Sequence, residues 1–237
     1  MKFQTLLFLS LLGLLAACNG GNAPAEEAAE TTPAPEPEGV RVSSEELFQL
    51  GIDTASQIPQ GLRVGQPAPD FEGFDQNGRP IRLQEALQAG PVVLIFYRGF
   101  WCGVCNRYLS QFADSLELVR QAGATVIAVA PETAENARKT VEKTGFEVPV
   151  LSDSTLQIMN AYGVTFHVNE DYQQKIVGYA GTSIAATNGA EDAFLPVPAT
   201  YVIAPDGNIH FAHFNPNYRQ RASVHDILDA LNRLQRG

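Results

Sequence analysis

PVVLIFYRGFWCGVCNRYL, residues 91–109, runs from a continuous apolar segment through an arginine and a tryptophan into two cysteines three positions apart. The apolar part, 91–97, lacks the polar alternation of a strand with one wet face. It therefore predicts a strand covered on both sides, the habit of strands in a parallel sheet. Beyond the cysteines, Leu109, Phe112, Leu116 and Val119 recur at spacings of three, four and three, which predicts one amphipathic helix beginning near Cys102. A CxxC at such a strand-to-helix turn sets Cys102 at the helix N-terminus, where unpaired N–H groups and the helix dipole favour the thiolate. Cys105, one turn further on, is close enough to attack a mixed disulfide formed on Cys102.

Two other uses of the pair fit the chain less well. A structural zinc site commonly takes four Cys or His ligands. This sequence has no second cysteine pair, and His210 and His213 would point to opposite faces of a strand, so no metal is expected. A purely structural disulfide between cysteines this close in sequence closes a very short loop and adds little chain-entropy stabilisation. A reactive dithiol is the remaining reading. It requires no cofactor, but in an oxidising compartment it needs an external supply of electrons.

The surrounding pattern predicts alternating strands and helices. Segment 43–51 opens with Ser43 three before Glu46 and closes on Gly51, a short capped helix. Segment 70–83 reads as a hairpin turning at Asn77-Gly78. Segment 124–130 is a second buried strand, followed by a helix over about 133–143, a strand end at 149–153 and a short helix in 154–163. Residues 168–196, rich in Gly, Ala, Asn and acids, read as a surface insertion or part of a site rim. Segment 199–214 is an antiparallel hairpin around Pro205-Asp206-Gly207. Val224, Ile227, Leu228, Leu231 and Leu234 line one face of a last helix, with Ser223 and Asp226 at its cap.

The ends of the chain carry different information. Residues 1–17 hold one charge, Lys2, then an apolar run shorter than the ~20 residues of a membrane span, then small residues before Cys18, the pattern of an export signal. The quartet Leu15-Ala16-Ala17-Cys18 resembles the lipobox of bacterial lipoproteins. That resemblance implies a diacylglyceryl group on Cys18 as the mature N-terminus, hence a lipid-anchored protein of the bacterial cell envelope with its domain outside the cytoplasm. Residues 18–40 then form a lipidated cysteine and an acidic Pro/Ala/Glu tether with five Glu, four Pro and no base. Residues 41–64 are a lead-in containing the short helix, and 65–237 the main domain. The net charge of −10 argues against a nucleic-acid partner.

From GQPAPDF (65–71) to the last helix the sequence resembles a thioredoxin-fold protein. FYRGFWCGVCNRYL is similar to the YRG-W-CxxC motif of peroxiredoxin-like members of the alkyl hydroperoxide reductase/thiol-specific antioxidant family. The resemblance implies an α/β thioredoxin-like fold, a central mixed sheet flanked by helices, with an N-terminal hairpin extension. It implies catalytic Cys102 and Cys105, and a cis-proline opposite them, for which Pro198 in VPATYVI is the candidate. Trp101 would shield Cys102, Arg98 would supply a cation near the thiols, and Glu132 would be a proton acceptor near the dithiol. The chain departs from the typical PxxxTxxC pattern, since the peroxide-reactive Cys falls on Cys105, the Thr on Cys102 and the Pro on Arg98. The family's usual active-site Arg falls on Pro198. Two functions stay open. One is an antioxidant hydroperoxide reductase recycled by a thioredoxin-like electron donor; the other is an oxidoreductase acting on protein disulfides.

Overall fold

A computed structural model describes residues 42–236. The export signal, Cys18 and the acidic tether lie outside the described residues. In chain order the elements are α1 (Ser44–Gln49), β1 (Glu72–Phe74), β2 (Pro80–Arg82), α2 (Leu83–Ala89), β3 (Val92–Phe96) and α3 (Gly103–Ala113). Then come α4 (Leu116–Gln121), β4 (Thr125–Ala130), α5 (Ala134–Thr144), β5 (Val150–Ser152), α6 (Gln157–Ala161) and β6 (Thr165–His167). The chain closes with α7 (Glu170–Ala180), α8 (Ile184–Asn188), β7 (Phe194–Pro196), β8 (Ala199–Ile203), β9 (Ile209–Phe214) and α9 (Val224–Arg236).

The continuous apolar run of β3 is explained by its place in the sheet. Five strands lie in the order β5-β4-β3-β8-β9, with β3, β4 and β5 parallel and β8 antiparallel to both β3 and β9. Side chains alternate across a strand, and here each face meets its own core. Val93, Ile95 and Tyr97 join α3, α4, α7 and α9 on one side through Leu109, Phe112, Val119, Ile176 and Ile227. Val92, Leu94 and Phe96 join α2 and α6 on the other through Leu83, Leu87, Ile158 and Met159. The sheet is thus mixed, central and flanked by helices, as expected.

The N-terminal hairpin is built at its turn by Asp75. Its carboxylate accepts from the N–H groups of Asn77 (2.8 Å) and Arg79 (2.9 Å) and pairs with the Arg79 guanidinium. Gly78, at φ 77°, takes the left-handed position that glycine adopts without strain. A bridge from Asp75 to Leu151 ties the hairpin to β5. The lead-in is joined to the domain as well. The reciprocal Ser43/Glu46 cap is present on α1, Leu47 and Ile52 are buried in the α3-side core, and Ile52 pairs with Val168.

Three expectations need correction. The stripe from Leu109 to Val119 is buried throughout, but it spans two helices. Asp114 and Ser115 close α3 and α4 restarts after them, in keeping with the preference of Asp and Ser for non-helical hydrogen bonding. Residues 168–196, expected as a less regular surface insertion or part of a site rim, are regular, and α7 among them does line the rim of the Cys102 cleft. Asn169 caps α7 by accepting from Tyr172 N (2.9 Å), Gly181 ends it at φ 67°, Ser183 caps α8, and β7 pairs with β6. Finally, there is no cis peptide among the described residues, so the Val197–Pro198 bond is trans. Val197 N–H donates to Val164 O at 2.8 Å, and the chain passes from β7 into β8 with the ordinary isomer, the one an X-Pro bond favours intrinsically.

Candidate active site

The end of β3 delivers Arg98 and Gly99 into a short loop that turns at once into α3. Two side chains from other elements hold that loop. Glu132, just beyond β4, accepts from Phe100 N–H at 2.7 Å, and Asn106, one turn into α3, donates to Phe100 O at 2.6 Å. Gly99 lies at φ 134°, and a Cβ there would stand 2.9 Å from Trp101 Nε1 and 3.3 Å from Glu132 Oε2. Only glycine fits both the angle and the space.

Glu132 is fully buried. Its carboxylate accepts from the Tyr97 hydroxyl, the Thr140 hydroxyl (3.0 Å) and Phe100 N–H. Burial raises its pKa, and the hydrogen bonds oppose that rise only in part. Burial and the adjacent carboxylate push the Tyr97 phenol well above its usual value. Both carboxylate oxygens are engaged by these donors, so Glu132 acts on the site by fixing the 98–101 backbone.

Cys102 is the N-cap of α3, and a disulfide joins it to Cys105 across a Cα–Cα distance of 5.2 Å. The Cys102 sulfur accepts from Cys105 N–H at 3.3 Å, so the helix terminus directs one of its free donors at this atom. The two sulfurs are not equally placed. Both are buried, Cys102 at 4% exposure and Cys105 at 0%, but only Cys102 lines a cleft, of about 490 Å³. Trp101 packs beside Cys102 and lines the same cleft.

Arg98 is not solvated. It is 1% exposed, and its guanidinium carbon stands 4.1 Å from the Tyr218 ring centre and 5.1 Å from those of Trp101 and Tyr172. It donates to the Tyr172 hydroxyl at 2.7 Å, its Nε has no acceptor, and no carboxylate among the described residues pairs with it. A cation does stand at the Cys105 sulfur. Arg221, between β9 and α9, donates through Nε to Tyr218 O (2.7 Å) and reaches Cys105 Sγ with Nη2 at 3.3 Å. Burial lowers the Arg221 pKa to about 10, with the charge of Arg98 a smaller cause in the same direction, so it remains a cation at neutral pH. Pro198 is buried between β7 and β8 and does not line the Cys102 cleft.

Sequence reasoning identified the cysteines and the residues beside them but missed Arg221, Tyr172 and Tyr218. Their side chains arrive from segments 74 to 120 positions away, without a local motif. Among the described residues no group of three or more His, Cys, Asp or Glu converges as a metal site would.

The fold is thioredoxin-like, and it sets a disulfide-linked cysteine pair at a helix N-terminus. The chain belongs to the AhpC/TSA family, which it matches over residues 64–212. It is 33% identical over 104 residues to the thiol-disulfide oxidoreductase ResA of Geobacillus thermodenitrificans, a match covering 44% of this chain and 59% of that one. It is 34% identical over 103 residues to the chloroplastic peroxiredoxin Q of Arabidopsis thaliana, covering 44% and 47%. The chain thus spans about half to three fifths of the length of these relatives. Among solved structures the fold is shared with the peroxidoxin BcpB of Mycobacterium tuberculosis (TM-score 0.55, 23% identity, 74% of this chain and 97% of that). It is shared also with peroxiredoxin 6 of Arenicola marina (TM-score 0.58, 17% identity, 74% of each).

Proposed function

We propose that this protein is a hydroperoxide reductase in which Cys102 attacks and Cys105 resolves. The observation that carries the reading is the asymmetry of the pair. Cys102 borders an open cleft that Arg98 also lines, while Cys105 is fully buried and does not reach it. The positive charge of the cleft that Cys102 borders favours a thiolate there and the negative charge that develops on a departing oxygen. The Cys102 thiolate forms an S–O bond with one peroxide oxygen as the O–O bond breaks. The other oxygen leaves with the electron pair, takes a proton, and departs as an alcohol or water. The Cys105 sulfur then displaces water from the sulfenic acid to give the disulfide. A thioredoxin-like dithiol reduces it, becoming a disulfide itself. This order differs from the family register, in which the peroxide-reactive cysteine falls on Cys105.

A second reading is favoured by one observation, the N-cap position of Cys102 with Cys105 N–H on its sulfur, which suits attack on protein disulfides equally well. We also propose that the protein is held in the bacterial cell envelope by lipid on Cys18, with residues 19–40 as the tether. The experiment that tests the first reading is the second-order rate at which the reduced protein consumes hydrogen peroxide and an organic hydroperoxide, compared with an unactivated thiol. A rate orders of magnitude above that thiol is expected. A rate no better than the thiol, with fast reduction of protein disulfides, assigns the protein to the second reading.

A further inference from the structure

The cleft at Cys102 opposes in sign the molecule that contains it. The chain carries a net charge of −10, yet Arg98, Arg107, Lys175 and Arg219 line this cleft and no Asp or Glu does. Arg107, Lys175 and Arg219 are exposed at its rim, and Arg98 lies at depth. A guanidinium removed from water calls for an anion or a full set of acceptors. Here Arg98 Nε and the neighbouring Trp101 Nε1 are both buried donors with no acceptor.

The part of the lining that comes from α7 has an order as well. Tyr172, Lys175, Ile176 and Tyr179 follow at i, i+3, i+4 and i+7, so one face of α7 is turned to this cleft. Tyr179 is 74% exposed, and its hydroxyl lies 3.2 Å from where a Cβ of Gly103 would be, so it stands over the first turn of α3 next to Cys102. A volume of about 490 Å³ is within the range of small-molecule sites. It is many times the space of about 30 Å³ that one water occupies, so hydrogen peroxide alone would leave it mostly empty.

We propose that this cleft selects an anionic substrate, an organic hydroperoxide that carries a carboxylate on a short apolar chain. This assignment rests on the hydroperoxide-reductase reading and names its substrate class. The carboxylate meets the rim cations, the chain lies against Trp101, Ile176 and Tyr179, and the hydroperoxide end meets Cys102. The Cys102 thiolate takes the terminal oxygen, and the O–O bond pair stays with the inner oxygen, which gains a proton from solvent. The product is the carboxylate-bearing alcohol, and the sulfur is oxidised to sulfenic acid.

Two measurements on the full-length reduced protein test this. The first is independent of peroxidase activity: alkylation of Cys102 by iodoacetate, an anion, against iodoacetamide, its neutral counterpart, read by peptide mass spectrometry and normalised to a small free thiol. The normalised ratio is expected to favour iodoacetate by about tenfold at low salt, to shrink as salt screens the cleft, and to fall in Lys175→Gln and Arg219→Gln. The second is the ratio of kcat/KM for a six-carbon hydroperoxy acid to that for its methyl ester, expected to exceed one and to fall in the same variants. An alkylation ratio equal to that of the free thiol overturns the proposal, and so does equal use of acid and ester. If the alkylation bias is present but neither compound nor hydrogen peroxide is consumed, the hydroperoxide-reductase reading is what fails, and this substrate assignment falls with it.

Discussion

Arg221 Nη2 lies 3.3 Å from Cys105 Sγ although 116 positions separate the two residues. No carboxylate among the described residues pairs with this guanidinium, so on reduction its natural counter-charge is the sulfur itself. When an external thiol attacks Cys102 in the disulfide, Cys105 leaves, and a thiol of lower pKa leaves faster. Arg221→Gln should raise the Cys105 pKa by about 1–2 units, read from thiolate absorbance in a Cys102→Ser background. It should also make the couple less oxidising, by roughly 30 mV for each 1.4 kcal/mol of lost thiolate stabilisation. Equilibration against glutathione measures that potential. Arg221→Lys should recover part of both effects, and an unchanged Cys105 pKa in Arg221→Gln would remove the guanidinium from the chemistry.

That Cys102 but not Cys105 lines the cleft predicts different failures for the two serine variants. Cys102→Ser should not react with hydroperoxide even once, because the remaining sulfur does not reach the cleft. Cys105→Ser should be oxidised for a single turnover to a sulfenic acid that a dimedone probe traps, and then stop. Neither should sustain turnover with a thioredoxin-like donor. A trapped sulfenic acid on Cys105 in the Cys102→Ser protein would reverse the order and restore the family register.

How far the sequence disclosed this site depends on the range over which its parts communicate. The run 91–97 announced β3 because a strand with a core on each face leaves no polar position to interrupt it. Ser43/Glu46 and Ser223/Asp226 announced helix starts because a cap is settled within four residues. The cysteines and the α3 start were legible for the same reason. Arg221, Tyr172 and Tyr218 were not, since only the folded sheet brings their two remote segments to one helix terminus. The Asn169 and Gly181 signals bounding α7 were local too, but the acid, Gly and Ala content around them obscured the helix they delimit. The Val197–Pro198 isomer is decided by tertiary packing, which composition does not contain.

The Cys18 reading lies outside the described residues and rests on Leu15-Ala16-Ala17-Cys18 followed by the acidic tether. If Cys18 carries acyl chains, each buried methylene adds about 0.8 kcal/mol to membrane binding. Cys18→Ala should therefore move the protein from the membrane pellet to the soluble fraction, or leave it as unprocessed precursor, in cells fractionated by ultracentrifugation. Processed protein that still pellets with membranes would exclude lipidation at this residue as its anchor.

Glu132 links the stability of the fold to the shape of the active-site loop. Removing it in Glu132→Ala leaves Phe100 N–H and the Tyr97 and Thr140 hydroxyls without their acceptor, and should cost about 2–4 kcal/mol of stability. The conservative change separates charge from bonding. Because burial raises the Glu132 pKa above 4.5, the folded protein holds this proton more tightly than the unfolded chain does. The corresponding stability is fully present below pH 4.5 and is lost as pH rises through the raised value. Glu132→Gln cannot titrate, so urea midpoints measured over about pH 4 to 8 should fall with pH less in this variant than in the parent protein. Parallel pH profiles for the two proteins would mean that Glu132 ionises in the fold at no net cost, with the Tyr97, Thr140 and Phe100 donors fully offsetting its burial.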